Sequence, residues 1–353
     1  MYDVITIGTA TRDIFLTSPF FKVVSDEAHL KKIGFPTGEA QCFALGGKIE
    51  IDKPIFITGG GATNAAVTFA RQGLKAAALI KVGKDSAGEE IINELKKEKI
   101  SVLTLYPIPY TLNPNNNGTA YSTILLAPNG ERTILVYRGA SESLSINEIS
   151  FDKFNSKWAY IVPGKISYDV IKEIIDYLHQ QKILIAFNPS KYFIELGLEK
   201  LKPILEKTKA VILNREEAAY LTDIDYDKEK AIFKKLDAIV AGIAVMTDGP
   251  NGVSVSDGFN IYRAGTFGEK KLVDRTGSGD AFGSGFVAGL IHEQETCEKG
   301  LCKVNNIEYA VRLGSANATS VIEYIGAKKG ILTKEEFEIS ERWRNLKIDI
   351  IRN

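Results

Sequence analysis

Asp280 closes the run V-D-R-T-G-S-G-D over residues 273–280, and the three residues before it, Gly277, Ser278 and Gly279, are all small. After it comes A-F-G-S-G-F-V-A-G-L, a helical pattern that opens at about Asp280. A small-residue loop feeding a helix offers unpaired N–H groups to an anion. The helix dipole adds to the attraction, and glycine lets the backbone come close without a Cβ in the way. Such a loop suits a phosphate or the transition state of its transfer, and a carboxylate at its rim can accept the proton of an attacking hydroxyl. The same residues also fit a plainer role, with Asp280 as a helix cap and the glycines as packing residues. Gly283, Gly285 and Ala288 form G-x-G-x-x-A inside the helix pattern rather than at a strand-to-helix turn, which weighs against a dinucleotide-dependent oxidoreductase. The P-loop pattern G-x-x-x-x-G-K-[ST] does not occur.

Other polar residues carry chemistry of their own. The segment G-G-G-A-T-N over 59–64 starts a second helix pattern; a turn at Gly59 and Gly60 can wrap backbone amides around hydroxyls, and Asn64 presents both a donor and an acceptor. A tight turn with a capping asparagine fits the same residues. In N-R-E-E over 214–217, Asn214 and Glu217 lie three apart on one helix face, where both can point at a water-ligated Mg2+; the spacing fits a capping box equally well. Arg138 and Lys165 each follow a strand pattern, where either can meet an anionic substrate or stand as a solvated charge. Asp85 reads as a helix cap. His29, His179 and His292 are scattered, and His292 with Cys297 and Cys302 has no zinc spacing.

These residues need a frame. Apolar runs at 4–7, 77–82, 159–162, 183–187, 210–213 and 243–246 read as strands, and helical patterns at 88–99, 168–181, 194–208 and 215–221 lie between several of them. The alternation predicts an α/β core, a mostly parallel central sheet with helices on both faces. Residues 14–57 and 119–137 carry β-like alternation and turn signals instead. Within them, 119–126 and 132–137 make a hairpin bent at P-N-G-E (128–131), after a polar loop N-P-N-N-N-G (113–118). The expected division is a core of residues 1–12, 58–108 and 139–353 and a β lid of residues 13–57 and 109–138. From Thr333 the tail reads as a charged helix.

The run D-R-T-G-S-G-D over 274–280 is similar to the D-x-T-G-A-G-D signature of the ribokinase-like, or PfkB, family of carbohydrate kinases. The resemblance assigns the catalytic base to Asp280 and the anion hole to Gly277, Ser278 and Gly279. G-G-G-A-T-N resembles the family's G-G-x-x-x-N, V-G-K-D-S-A-G over 82–88 its G-x-D-x-x-G, and N-R-E-E its N-x-x-E. Asp13 stands where the family places an aspartate that binds two substrate hydroxyls, and a carboxylate can accept two hydrogen bonds from a vicinal diol. T-D-G-P-N-G, with Thr247, Gly249 and Gly252, resembles the strand-end loop that approaches ATP, and Asn317 with G-A-K-K-G (326–330) occupies the region flanking the adenine. Asp274 and Thr276 would hold K+ beside the anion hole, as in many relatives. The resemblance implies a ribokinase-like three-layer core, a small β-sheet lid that closes over the acceptor and excludes water, ATP and Mg2+ in the reaction, and a homodimer formed through the lid. Ribokinases commonly carry a lysine where this chain has Gly61, a departure that weighs against ribose itself and against phosphosugars. The stretch from 21 to 53 is longer than a minimal lid needs.

The 353 residues carry 44 Lys and Arg against 44 Asp and Glu, which removes any general attraction to nucleic acid or anionic membrane and favours a small-molecule substrate. No segment approaches the run of about 20 apolar residues that spans a bilayer. Three cysteines at no framework spacing point to a reducing compartment, and the chain opens on a strand pattern rather than a secretory signal, so a cytoplasmic location is expected. The function expected is ATP-dependent phosphorylation of a hydroxyl, a hydroxymethyl group above all, on a sugar or nucleoside. A non-catalytic sugar or nucleotide sensor on the same fold is the alternative, and the intact Asp280 argues against it.

Overall fold

A ten-stranded sheet forms the centre of the computed structural model, which describes residues 1–35, 38–105, 118–127, 131–298 and 307–353, the side chains of 293–298 excepted. Its parallel part runs in the order Ile243–Thr247, Ala210–Asn214, Leu184–Phe187, Ser156–Val162, Tyr2–Gly8, Ala76–Lys81, Ser101–Leu105. Along these strands alternate residues enter two separate cores. Val4, Ala78, Tyr160 and Ile212 join one, while Ile5, Leu79, Ile161 and Leu213 join the other. The period of two with both faces buried explains why the strands read as continuous apolar runs. Helices Gly61–Arg71, Ser86–Lys97, Ser278–Glu298 and Ile307–Val321 cover the first face, and Tyr168–Gln180, Leu198–Leu205, Arg215–Thr222 and Glu229–Asp237 the second. The three-layer α/β core is as expected.

The chain moves outward from Tyr2–Gly8 through Ala76–Lys81 to Ser101–Leu105, then returns to Ser156–Val162 and moves outward on the other side. The strand order therefore reverses between Tyr2–Gly8 and Ser156–Val162. Beyond the carboxyl ends of such a pair the connections diverge and leave a crevice, which is where open α/β sheets bind ligands.

A separate four-stranded sheet, in the order Ile55–Gly59, Thr11–Thr17, Ala120–Leu126, Arg132–Tyr137, stands where the β appendage was expected. Its strands reach Thr11 and Gly59, slightly beyond the expected limits, and its central pair is parallel. The register sets Asp13 between Ile57 and Ser122. Helix Glu27–Lys32 and a two-stranded sheet of Lys22–Ser25 with Glu39–Cys42 fill part of the long insertion. The hairpin 120–126/132–137 forms, while its bend at 128–130, the polar residues 113–117, Cys302 and the side chain of Cys297 lie outside the described residues.

Two expectations are corrected. The tail is not one charged helix: Lys334–Ile339 is short, with a Thr333/Glu336 capping box, and Ile348–Arg352 is a strand paired antiparallel with Asn260–Ala264. That strand and its neighbours Val253–Ser256 and Asn260–Ala264 extend the sheet past Ile243–Thr247. The pattern at 194–208 is two helices, Lys191–Glu195 and Leu198–Leu205, divided at Gly197, whose φ of 82° takes the chain out of the helical region. The helix expected from about Asp280 begins at Ser278, and Gly283 within it is a packing residue, since a Cβ there would stand 2.4 Å from the Tyr160 hydroxyl.

Candidate active site

Asp280 lies in the first turn of Ser278–Glu298, at the mouth of the switch-point crevice. A Cβ on Gly61 would stand 2.3 Å from Val162 Cγ1 and 3.4 Å from Asp280 Oδ1, so the start of Gly61–Arg71, the end of Ser156–Val162 and the carboxylate converge. Asn64 Nδ2 donates to Asp280 Oδ2 at 2.9 Å. Asn64 is thus not a cap. Its Oδ1 is buried without a protein donor among the described residues, which leaves an acceptor beside the carboxylate for a ligand hydroxyl. Burial pushes the Asp280 pKa up; the Asn64 bond opposes the rise and the nearby charge of Asp13 adds to it.

Asp13, 7% exposed, faces the same space from the lid. Thr11 Oγ1 donates to its Oδ1 at 2.9 Å. A Cβ on Gly59 would fall 2.0 Å from its Oδ2, so only glycine lets the strand Ile55–Gly59 pass this carboxylate. Burial raises the Asp13 pKa, while hydrogen bonds from Thr11 and Ser122 and the charge of Lys328 hold it back. Arg138 turns to Glu142, with Nε 3.0 Å from Oε1.

The glycine loop is built for close approach. Gly277 has φ +77°, and a Cβ on it would stand 2.2 Å from Ala327 Cβ. Ala281 N–H donates to Gly277 O at 2.8 Å and Ser278 N–H reaches Arg275 O at 3.4 Å, while the amides of Gly279 and Asp280 have no backbone acceptor among the described residues. Asp274 braces the loop: Oδ1 accepts from Thr276 N (2.9 Å) and Thr276 Oγ1 (2.7 Å), and Oδ2 accepts from Gly326 N (3.0 Å). This buried carboxylate forms no ion pair among the described residues.

Ser278 and Gly279 also line a mostly apolar cleft of about 210 Å³, with Thr247, Gly249 and Gly252 on one wall and Phe267, Leu272 and Phe282 beside them. Arg215 holds the Thr247 loop in place: Nη1 is 3.1 Å from Asp248 Oδ2 and the guanidinium lies over Tyr226. Asn214 pairs in register with Thr247. With Glu217 it forms a reciprocal capping box, Glu217 N to Asn214 Oδ1 at 2.7 Å and Asn214 N to Glu217 Oε2 at 2.9 Å; burial raises the Glu217 pKa. Asn317, expected beside the nucleotide, does not line this cleft. It is fully buried, with Nδ2 donating to Ala281 O at 2.8 Å and Oδ1 accepting Leu332 N at 3.0 Å. The cleft takes Ser315, Ala318, Thr319 and Ile322 from the same part of the chain. Their spacing of i, i+3, i+4, i+7 is one helix face and was the signal available in the sequence.

Fold and crevice together define the class, a small-molecule phosphotransferase with an apolar cleft on one side of a glycine loop and carboxylates on the other. The chain belongs to the family described as pfkB family carbohydrate kinase, whose model matches residues 39–334, and it is a kinase of that kind. It is 29% identical over 267 residues to a protein of Archaeoglobus fulgidus named as an uncharacterized sugar kinase, covering 74% of this chain and 96% of that one. It is 26% identical over 291 residues to the ribokinase of Bacillus subtilis, covering 80% and 87%. The solved structure of a probable sugar kinase from Rhizobium etli shares the fold, with a TM-score of 0.73 at 22% identity over 95% of this chain and 97% of that one. Among the described residues no helix is long and apolar enough to cross a membrane.

Proposed function

We propose that the protein transfers the γ-phosphoryl group of ATP to a hydroxyl of a sugar or nucleoside, a hydroxymethyl group above all, with Asp280 as general base. The observation that carries the reading is the Asp280–Asn64 pair at the crevice mouth, between the glycine loop and Asp13. Asp13 accepts two acceptor hydroxyls, Gly59 and Gly60 shape the wall beside them, and Asn64 Oδ1 accepts a further O–H. Asp280 takes the proton of the attacking hydroxyl, whose oxygen bonds to the γ-phosphorus as the bond to the bridging oxygen of ADP breaks. The amides of Gly277, Ser278 and Gly279 steady the charge on the transferring group. Thr247, Gly249 and Gly252 flank the nucleotide, with Asn214 toward its phosphates.

Glu217 fits a Mg2+ held through water: Oε2 is spent on the capping box, and Oε1 has no protein donor among the described residues. The ion would neutralise charge on the β- and γ-phosphates. Asp274, buried and without a counter-charge among the described residues, supports K+ beside it and Thr276. Turnover should be faster in K+ than in Na+ or choline buffer, and equal rates in all three remove that ion. A neutral net charge and the exposed free thiol of Cys42 suit a cytoplasmic enzyme.

The deciding measurement is ADP release from Mg-ATP across pentoses, hexoses, ketoses, nucleosides and sugar phosphates, with Asp280→Asn in parallel. Acceptor-dependent turnover that the variant lowers by about 10²–10⁴ is expected. A variant with near-normal rate overturns the role of Asp280.

A further inference from the structure

Lys328 is a cation that phosphoryl transfer does not call for. It is 6% exposed, sealed under the lid strand Ile55–Gly59, where Nζ donates to Thr58 Oγ1 at 2.5 Å and reaches Glu94 Oε2 only at 3.4 Å. Burial lowers its pKa, and the charges of Glu94, Asp13 and Glu98 oppose the fall. An ammonium kept in such a place costs stability, and an apolar side chain of the same length would pack there at less cost.

Two links point to its task. The first runs to the acceptor carboxylate. Asp13 pairs in register with Ile57, the neighbour of Thr58, and Gly59 passes directly beside its Oδ2. Thr11 and Ser122 hydrogen-bond to Asp13, Asp274 and Asp280 repel it, and Lys328 supplies the opposite charge. The second link runs to the anion hole along the backbone. Gly326 N donates to Asp274 Oδ2, Ala327 packs on Gly277, and Arg71 Nη1, on a side chain paired with Glu98, holds Lys328 O at 2.9 Å. Three consecutive residues thus touch the glycine loop, the lid strand and the field around Asp13.

We propose that Lys328 is a positioning residue for the phosphoryl acceptor: its ammonium pins the lid strand through Thr58 and offsets the charge of Asp13, setting that carboxylate in register with the anion hole. The proposal rests on Asp13 as the acceptor-binding carboxylate.

The test is steady-state kinetics of the full chain with acceptor and ATP varied separately, in Lys328→Met, Thr58→Val, Asp13→Asn and the Asp13→Asn/Lys328→Met pair. Lys328→Met should raise the acceptor KM by about tenfold or more, and Thr58→Val by about threefold, with the KM for ATP moving less than about twofold. In the Asp13→Asn background the effect of Lys328→Met should nearly vanish. An unchanged acceptor KM in Lys328→Met, both KM values rising together, or an equal effect in the two backgrounds overturns the proposal. Should Lys328→Met fail to fold, Thr58→Val decides, and an unchanged acceptor KM there overturns it as well. A wild-type chain silent across the acceptor panel defeats the kinase reading itself, a failure distinct from an active wild type with unaffected variants.

Discussion

The Asp280 carboxylate sits where a negative charge is costly. Its pKa is pushed above the usual range by burial first and by Asp13 second. Activity should therefore fall, as pH is lowered, at a point above the ordinary aspartate range, and a kcat/KM profile with its acid limb near pH 4 or lower would contradict the assignment. The same shift sets a stability trend. A carboxyl whose folded pKa lies above its unfolded value binds more protons in the native state, so its ionisation destabilises the fold as pH rises through that window. Asp280→Asn should then lose turnover yet melt higher than wild type near neutral pH, with the difference vanishing below the unfolded aspartate pKa. A lower Tm at pH 7 would refute this. For Asp280 the small-residue loop and helix start were legible from its own neighbours, because small residues before a helix have a local meaning. Its partner was not: Asn64 lies 216 positions away, and only the fold brings the two together. Lys328 was hidden for a different reason, since a lysine in G-A-K-K-G reads as a surface charge until its burial is seen.

At the scale of elements, six of the seven parallel strands are legible because both their faces are buried, while the seventh, Ser101–Leu105, is only half-buried and escapes the sequence reading. Ile348–Arg352, an edge strand, reads as part of a charged helix because its alternation of I-D-I-I-R is short and follows a helical run. Asn317 shows the limit in a helix. The sequence fixes neither the rotation of Ile307–Val321 nor which of its polar residues face the cleft. Packing turns Asn317 inward, where it ties Ser278–Glu298 to the turn at Leu332, with Thr68 Oγ1 also within 3.4 Å of its Nδ2. Asn317→Ala leaves the Leu332 amide and the Ala281 carbonyl without this partner and should cost about 2–3 kcal/mol, read as a shift of the urea midpoint. The KM for ATP of the remaining folded enzyme should stay close to wild type. A large rise in that KM with unchanged stability would return Asn317 to the nucleotide site.

At the scale of the molecule the lid has an edge that the described residues leave open. Among the described residues, Arg132–Tyr137 pairs on one side only, with Ala120–Leu126, and its other edge offers open backbone groups. Four successive residues on it are large, apolar and exposed: Ile134, Leu135, Val136 and Tyr137, with Leu135 at 57%. Phe56 and Ile55 on the opposite edge strand of the same sheet are exposed as well. An open, apolar strand edge invites pairing, and proteins that stay monomeric blunt such an edge with charge or proline. Here the run 133–137 has neither. The expected state is a homodimer joined through the lid, with light scattering giving twice the chain mass at micromolar concentration. Leu135 lies on the face opposite Asp13, since Val136 is the residue in register with Ser122 and so with Asp13. Leu135→Lys should therefore return the protein to monomer without placing a charge on the acceptor side. A monomeric mass for wild type, or a dimer that survives Leu135→Lys unchanged, would mean that the apolar edge is covered in some other way.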